Sequence, residues 1–352
     1  MKKFFYLIVF ASPMFIALQT QAKIWRVNNT PGVTADFTTF NGAAISALVL
    51  AGDTLYMEPS TIVYGTGSFT LTKRLVVVGS GFFLDPANAT TPGNAGLQAT
   101  TTESEISFMR LGSGTDGTKF LGVTLSGSIY FNGASNVTFE KVYFPAGVYF
   151  ENGTNDAVTF RKCFFNNSAN VSGSATAVIT NFICENNIFY NGAYLTMGTL
   201  TGSGNIIRNN SVVGGNAFTL SNAYVANNIF GIGSQCVFTN CTIKNNLFQV
   251  AQTLPGTATA NLLSVNMANV YVGGATGSFD SRTVLKAGSP ALAAGLTIGA
   301  VTTPDCGAYG ATDPYKLSGI PNIPSIYALT VPVSIPSGSA TMNVTFSTRN
   351  TN

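Results

Sequence analysis

The sequence predicts a right-handed parallel β-helix, an all-β solenoid with one helix over its first coil and a strand-rich C-terminal tail. Three observations carry the prediction. First, an eight-residue pattern recurs through the middle of the 352-residue chain: TKFLGVTL, VTFEKVYF, VTFRKCFF, FICENNIF, NIIRNNSV, AYVANNIF and CTIKNNLF, starting at residues 118, 137, 158, 182, 205, 223 and 241. A period of about 20 residues with a short strand signature in each copy is the mark of stacked repeats. Second, two positions of the pattern are apolar in every copy. Position 3 holds Phe120, Phe139, Phe160, Cys184, Ile207, Val225 and Ile243, and position 8 holds Leu125, Phe144, Phe165, Phe189, Val212, Phe230 and Phe248. Parallel strands stacked about 4.8 Å apart would align these side chains in two inward columns. Third, only 9% of the residues are charged, and Gly, Ser, Thr and Asn fill the polar positions.

The elements follow in chain order. Residues 1–22 have a basic start at Lys2 and Lys3, an apolar run from Phe4 to Leu18 and a small-residue end at Ala22, the build of a secretory signal peptide. The expected location is therefore outside the cytoplasm: extracellular, at the cell surface or periplasmic. No Cys lies near the cleavage point, and no later stretch is apolar enough to cross a bilayer. Residues 23–65 form an N-terminal strand and a capping helix. Lys23–Asn29 alternates like a strand, Gly42–Leu50 has helical spacing, Gly52 is the expected C-cap, and a strand restarts at Thr54. Such a helix would cover the open end of the apolar core. The solenoid occupies residues 66–315. It is interrupted by a Pro-, Gly- and Thr-rich insertion loop at 85–105, a length often tied to function.

Within the repeat, positions 5 and 6 become paired Asn: Asn186 and Asn187, Asn209 and Asn210, Asn227 and Asn228, Asn245 and Asn246. One Asn of each pair suits a left-handed bend, and the other can stack its amide on the next coil. Asn187, Asn210, Asn228 and Asn246, with Phe144, Phe165, Phe189, Phe230 and Phe248, are therefore assigned structural roles. Position 4 reads Leu121, Glu140, Arg161, Glu185, Arg208, Ala226 and Lys244, an outward row whose alternating charges favour the correct stacking register. Residues 316–352 form a Pro-rich extended tail with two strand-like stretches. This tail either folds back along the solenoid or engages a partner.

Removing Lys2 and Lys3 reduces the 17 basic residues to 15, against 14 acidic ones, so nothing recommends nucleic acid as a partner. Five unevenly spaced cysteines argue against a disulfide framework and for buried thiols, with a single bridge, Cys236–Cys241 or Cys163–Cys184, left open.

These landmarks resemble the secreted parallel β-helix proteins of the pectate-lyase-like superfamily, in the form common in Bacteroidota. The residues that carry the likeness are the front AAISALVLAGDTLYMEP, VVVGSGFFL with its insertion, the NN-containing coils, and AGSPALAAG with DCGAYG near the end. The group usually has acids where Ala293 and Gly310 stand here. The resemblance implies the fold, and it admits lyases, hydrolases, adhesins and structural surface proteins.

The chain has no His, which removes His-based nucleophile activation and His-containing zinc sites. Lyase chemistry of this group resembles proton abstraction by Arg or Lys beside Ca²⁺ held by several carboxylates, and no acid occurs between Glu185 and Asp280. The one local concentration of charge is Asp85, Glu103, Glu105, Arg110, Asp116 and Lys119, and any catalytic site would be sought there. The expectation is an exported non-catalytic β-helix that binds glycans or joins a cell-surface assembly, with polysaccharide or a surface protein as partner and no cofactor. A polysaccharide lyase or glycoside hydrolase is the alternative, with Ca²⁺ entering only under the lyase reading.

Overall fold

The computed structural model describes residues 22–65, 67–85, 100–167 and 169–349. The signal-like segment, apart from Ala22, and residues 86–99 of the insertion loop lie outside the described residues. The rest is a parallel β-solenoid with three stacked sheets. The first sheet has ten strands, from Ile24–Val27 and Thr54–Met57 to Thr242–Lys244; the second has eight, from Glu105–Ile106 to Leu247–Phe248. The third has nine, from Thr70–Leu71 to Val237–Thr239, with Ala177–Thr180 paired off the main path against the long strand Val148–Asp156. Strand pairing throughout the column is parallel, with position 3 of one copy opposite position 3 of the next: Phe120 with Phe139, Phe139 with Phe160, and Phe160 with Cys184.

Each eight-residue copy holds two strands rather than one. Positions 2–4 belong to the first sheet, positions 5 and 6 make a bend, and positions 7 and 8 belong to the second sheet. The third strand of every coil comes from the variable remainder. Positions 3 and 8 are buried in all seven copies. Rings in these columns stack face to face: Phe144 on Phe165 with centroids 4.7 Å apart, Phe165 on Phe189 at 4.5 Å, and Phe230 on Phe248 at 4.9 Å. The spacing follows from the distance between hydrogen-bonded strands. Each buried ring contributes about 1.5–3 kcal/mol by leaving water.

The paired asparagines divide their work. Those at position 6 form a continuous amide ladder inside the column. Asn187, Asn210 and Asn228 each donate from both backbone N–H and side-chain Nδ2 to Oδ1 of the next asparagine, at 2.9–3.0 Å. Asn246 does the same to Asn261, a fifth rung that lies beyond the recognisable repeat. Each Nδ2 also satisfies a buried carbonyl, as Asn210 does for Cys184 at 2.9 Å. At the front of the ladder the position is held by Cys163, whose Sγ donates to the Phe139 carbonyl at 3.3 Å.

Position 5 is left-handed in every copy, with φ between 52° and 62° for Gly122, Lys141, Lys162, Asn186, Asn209, Asn227 and Asn245. This row holds the returning C-terminal segment 294–322, in reverse order along the column. Asn245 donates to the Ala294 carbonyl, Asn227 to Leu296 and Asn209 to Asp305. Asn186 donates to Ala308 and Gly310, Lys162 pairs with Asp313, and Lys141 reaches the Ile320 carbonyl and Asn322 Oδ1. At the top, Gly122 packs so closely under Pro321 that any side chain would collide with it. This strap, together with Phe82 and with Val270, Tyr271 and Ala291 before it, covers the outward position 7 of the second sheet, so that Phe164, Ile188, Ile229 and Leu247 are buried.

The amino-terminal end differs from expectation, and the carboxy-terminal tail forms the two strands expected of it. The helix is shorter than its sequence spacing suggests. It runs Phe40–Ile45 with Thr39 as N-cap, and it stops at Ser46, whose hydroxyl accepts from Leu48 N–H in a local turn. Gly52, at φ 97°, serves the turn into the next strand instead of capping the helix. Phe40, Ala43 and Ala44 still pack into the main core beside Trp25 and Val27 of the first coil. At the other end, the tail from Ser325 leaves the strap as an antiparallel hairpin, Ser325–Thr330 with Thr345–Arg349. Leu329, Val333, Ile335 and Phe346 on this hairpin are half or more exposed.

Candidate functional site

The six charged residues singled out from the sequence lie on three sides of the column. Glu103 and Glu105 are on the second sheet's side. Glu103 accepts from Phe83 N–H at 2.8 Å and from Thr124 Oγ at 2.7 Å. It thereby ties the outgoing stem of the insertion loop to the returning one. Burial raises its pKa above the ordinary carboxylate value, with the two hydrogen bonds opposing and the Glu105 charge adding. Asp85 stands at the start of the loop. Arg110 is on the third sheet, paired with Glu151. Asp116 lies in the bend that leads back to the first sheet and accepts from Ser135 N–H at 2.8 Å. Lys119 is exposed on the first sheet. Arg110, Asp116 and Lys119 thus share no cleft with the two glutamates. Among the described residues no group of three or more Cys, Asp or Glu side chains is placed to hold a metal ion.

The first sheet carries the charged row. Glu185, its side chain only 7% exposed, sits between Arg161 and Arg208. Nε of each arginine donates to a different carboxylate oxygen, at 2.7 and 2.8 Å. These are the residues that successive position 4 strands place opposite one another. Both carboxylate oxygens are therefore engaged, and the single acid is shared by two bases. Lys162, nearly buried, lies 3.9 Å from Glu140 as well as pairing with Asp313. Burial lowers Lys141 to a pKa of about 8, with Lys162 and Lys316 acting in the same direction and Glu140 and Asp313 opposing.

A second outward row, on the third sheet, was not singled out from the sequence. The register aligns Arg110 with Tyr130 and Tyr130 with Tyr149. All three are half-buried and face outward, as is Tyr194 two coils further on. Tyr130 and Tyr149 stack with centroids 5.1 Å apart, and the Arg110 guanidinium lies 4.5 Å over the Tyr130 ring. Phe108 extends the row on the same side, 5.1 Å from Tyr130. Gly147 is part of the arrangement, because a side chain there would strike the Tyr149 hydroxyl. The available sequence signal was Tyr alternating with inward residues in IYFN and VYFEN, but loops of unequal length hide its register.

All five cysteines are free and buried. Among the described residues no helix is long and apolar enough to cross a membrane. A scan of protein-family models finds no match to this chain, and a search of curated proteins finds none either.

Proposed function

We propose that the chain is an exported, non-catalytic β-helix protein, akin to the pectate-lyase-like proteins of Bacteroidota, that binds extended glycans outside the cell. The observation that carries this reading is the clamping of Glu185 between Arg161 and Arg208. On the face with the most regular charge pattern, the one nearly buried acid is held by two bases and is spent on stacking the coils. What remains outward is a surface of hydroxyls, amides and aromatic rings, which suits hydrogen bonding to neutral sugars better than proton abstraction.

The test is incubation of purified protein with neutral and acidic polysaccharides, with and without Ca²⁺. Binding without turnover is the expected result. Unsaturated products absorbing in the ultraviolet would replace the reading with a lyase that uses Ca²⁺, and new reducing ends without them would replace it with a hydrolase.

A second reading, membership of a cell-surface assembly, is favoured by the hairpin. A two-stranded hairpin gains little stability of its own in water; this one borders the column across a cavity lined by Tyr56, Pro59, Ile326 and Leu329, and it exposes Leu329 (52%), Ile335 (50%) and Phe346 (62%). Exposed apolar surface of this kind marks interaction sites. Shortening the chain after Asn322 should leave the column folded while abolishing attachment to cells; unchanged attachment would rule out the hairpin as the anchor.

A further inference from the structure

We infer that the glycan site is the stacked tyrosine pair of the third sheet, Tyr130 and Tyr149, bounded at one end by Phe108 and the Arg110–Glu151 pair, with Tyr194 two coils on and two residues to the side of that column. The inference rests on the binding function proposed above and gives it a place and a ligand class, an extended neutral polysaccharide lying along the column axis.

Four observations support it. First, the hydroxyls of Tyr130 and Tyr149 have no hydrogen-bond partner among the described residues and reach the outer face of the sheet, whereas the enclosed, unpartnered hydroxyl of Tyr271 lies in the core. Two adjacent outward phenols offer donors and acceptors to a ligand. Second, Asn170 occupies the coil between Tyr149 and Tyr194, in register with Tyr194, and its enclosed Oδ1 also lacks a partner. An unsatisfied polar group of this sort calls for an explanation, and a hydroxyl-rich ligand would supply one.

Third, the stacking leaves surface to use. The 5.1 Å between the Tyr130 and Tyr149 centroids exceeds the contact distance of about 3.5–4.0 Å between carbon atoms. The rings are therefore offset; Tyr130 lies between Arg110 and Tyr149, so what the stack turns to solvent is its polar edge. The two coils repeat that edge at the strand spacing, close to the advance per sugar of an extended chain, and the next two coils continue the column with the hydroxyls of Ser172 and Thr196. Fourth, Arg110 is neutralised by Glu151 and rests on the Tyr130 face. The row thus has polar and aromatic character without net charge, which selects neutral over acidic chains. Beside it, Thr176 Oγ donates to the Glu151 carbonyl at 2.7 Å and fixes the flanking loop as a wall.

The experiment is isothermal titration of the full chain with cellohexaose, xylohexaose, mannohexaose and polygalacturonate. It is run for the wild type, Y130F/Y149F and Y130A/Y149A, with circular dichroism to confirm that each variant is folded. One neutral hexasaccharide is expected to bind. Affinity should fall about threefold to tenfold in the phenylalanine variant, which keeps the stack and loses only hydroxyls, and more than tenfold in the alanine variant. If the wild type binds a glycan and both folded variants bind it equally well, the site is wrong while the binding function stands. If the wild type binds only polygalacturonate, the neutral ligand class is wrong. If it binds none of the four, the inference falls together with the function it rests on.

Discussion

Replacing Asn210 by alanine tests the amide ladder at its centre. The side chain accepts from Asn187 N–H and Nδ2, each at 3.0 Å, and donates to the Cys184 carbonyl and to Asn228 Oδ1, each at 2.9 Å. In the variant, the Asn187 N–H loses its acceptor inside a region closed to water, since Asn187 is fully buried. A stranded buried donor costs about 1–3 kcal/mol, and each lost neutral hydrogen bond about 0.5–1.5 kcal/mol. The other groups keep some partners: Asn187 Nδ2 still reaches the Phe160 carbonyl, and Asn228 Oδ1 still accepts from the residue 210 N–H. The expected loss is about 3–4 kcal/mol, a large part of the 5–15 kcal/mol typical of a folded domain. The assay is guanidinium unfolding followed by circular dichroism and by tyrosine fluorescence, because coincident transitions are needed before a single free energy is quoted for a repeat array. The matched control is Asn261→Ala at the ladder's end, where the site is partly open and water can replace the lost groups; its cost should be less than half as large. A loss below 1 kcal/mol at Asn210, or equal losses at both sites, would refute the account of the ladder as a buried, mutually dependent network.

Three further predictions follow from the same structure. Phe165→Leu removes a ring stacked on both Phe144 and Phe189 and should lower stability by about 1–3 kcal/mol, measured in the same unfolding assay. For Lys141, the folded pKa of about 8 lies below the ordinary 10.5, so the unfolded chain holds more protons between those values and stability should rise with pH across that window. Below pH 8 both states are charged and the burial cost is fully present; Lys141→Met should flatten this slope in unfolding measurements at pH 7, 8, 9 and 10. Burial raises Cys163, Cys184 and Cys241, and pushes Cys236 and Cys306 to about 12, so a thiol reagent at pH 8 should label none of the five until the protein is denatured.

The sequence was most legible where one coil constrains the next at a fixed offset. Phe139 and Phe160 meet because their copies stack, and Glu185 faces Arg161 and Arg208 for the same reason. The two roles within the Asn186–Asn187 pair were legible, a left-handed bend and an amide stack, but which residue takes which is set by the backbone. Asn261 was missed because its coil carries Ala258 and Ala260 where the others have a large apolar residue and an Asn, although Ala260 adopts the same left-handed φ of 54°. The strap was hidden for another reason. Its partners at Lys141, Lys162 and Asn186 are distant in the chain, and no local pattern encodes such a pairing. A signal did exist at position 7, where Tyr143, Phe164, Ile188, Ile229 and Leu247 are outward yet apolar, which implies a cover. The charged cluster around the insertion loop was a cluster only along the chain, because each coil carries successive residues around the column to a different face.

Solenoids commonly gain or lose whole repeats, since every coil touches only its neighbours. This one is different, because the side-chain anchors from Lys141 to Asn245 meet the segment 294–322 in overall reverse order. A duplicated or deleted coil would leave the strap one rung too short or too long, with its donors facing the wrong carbonyls. The molecule in effect measures its own length, and only a column with the right number of turns can be buckled shut.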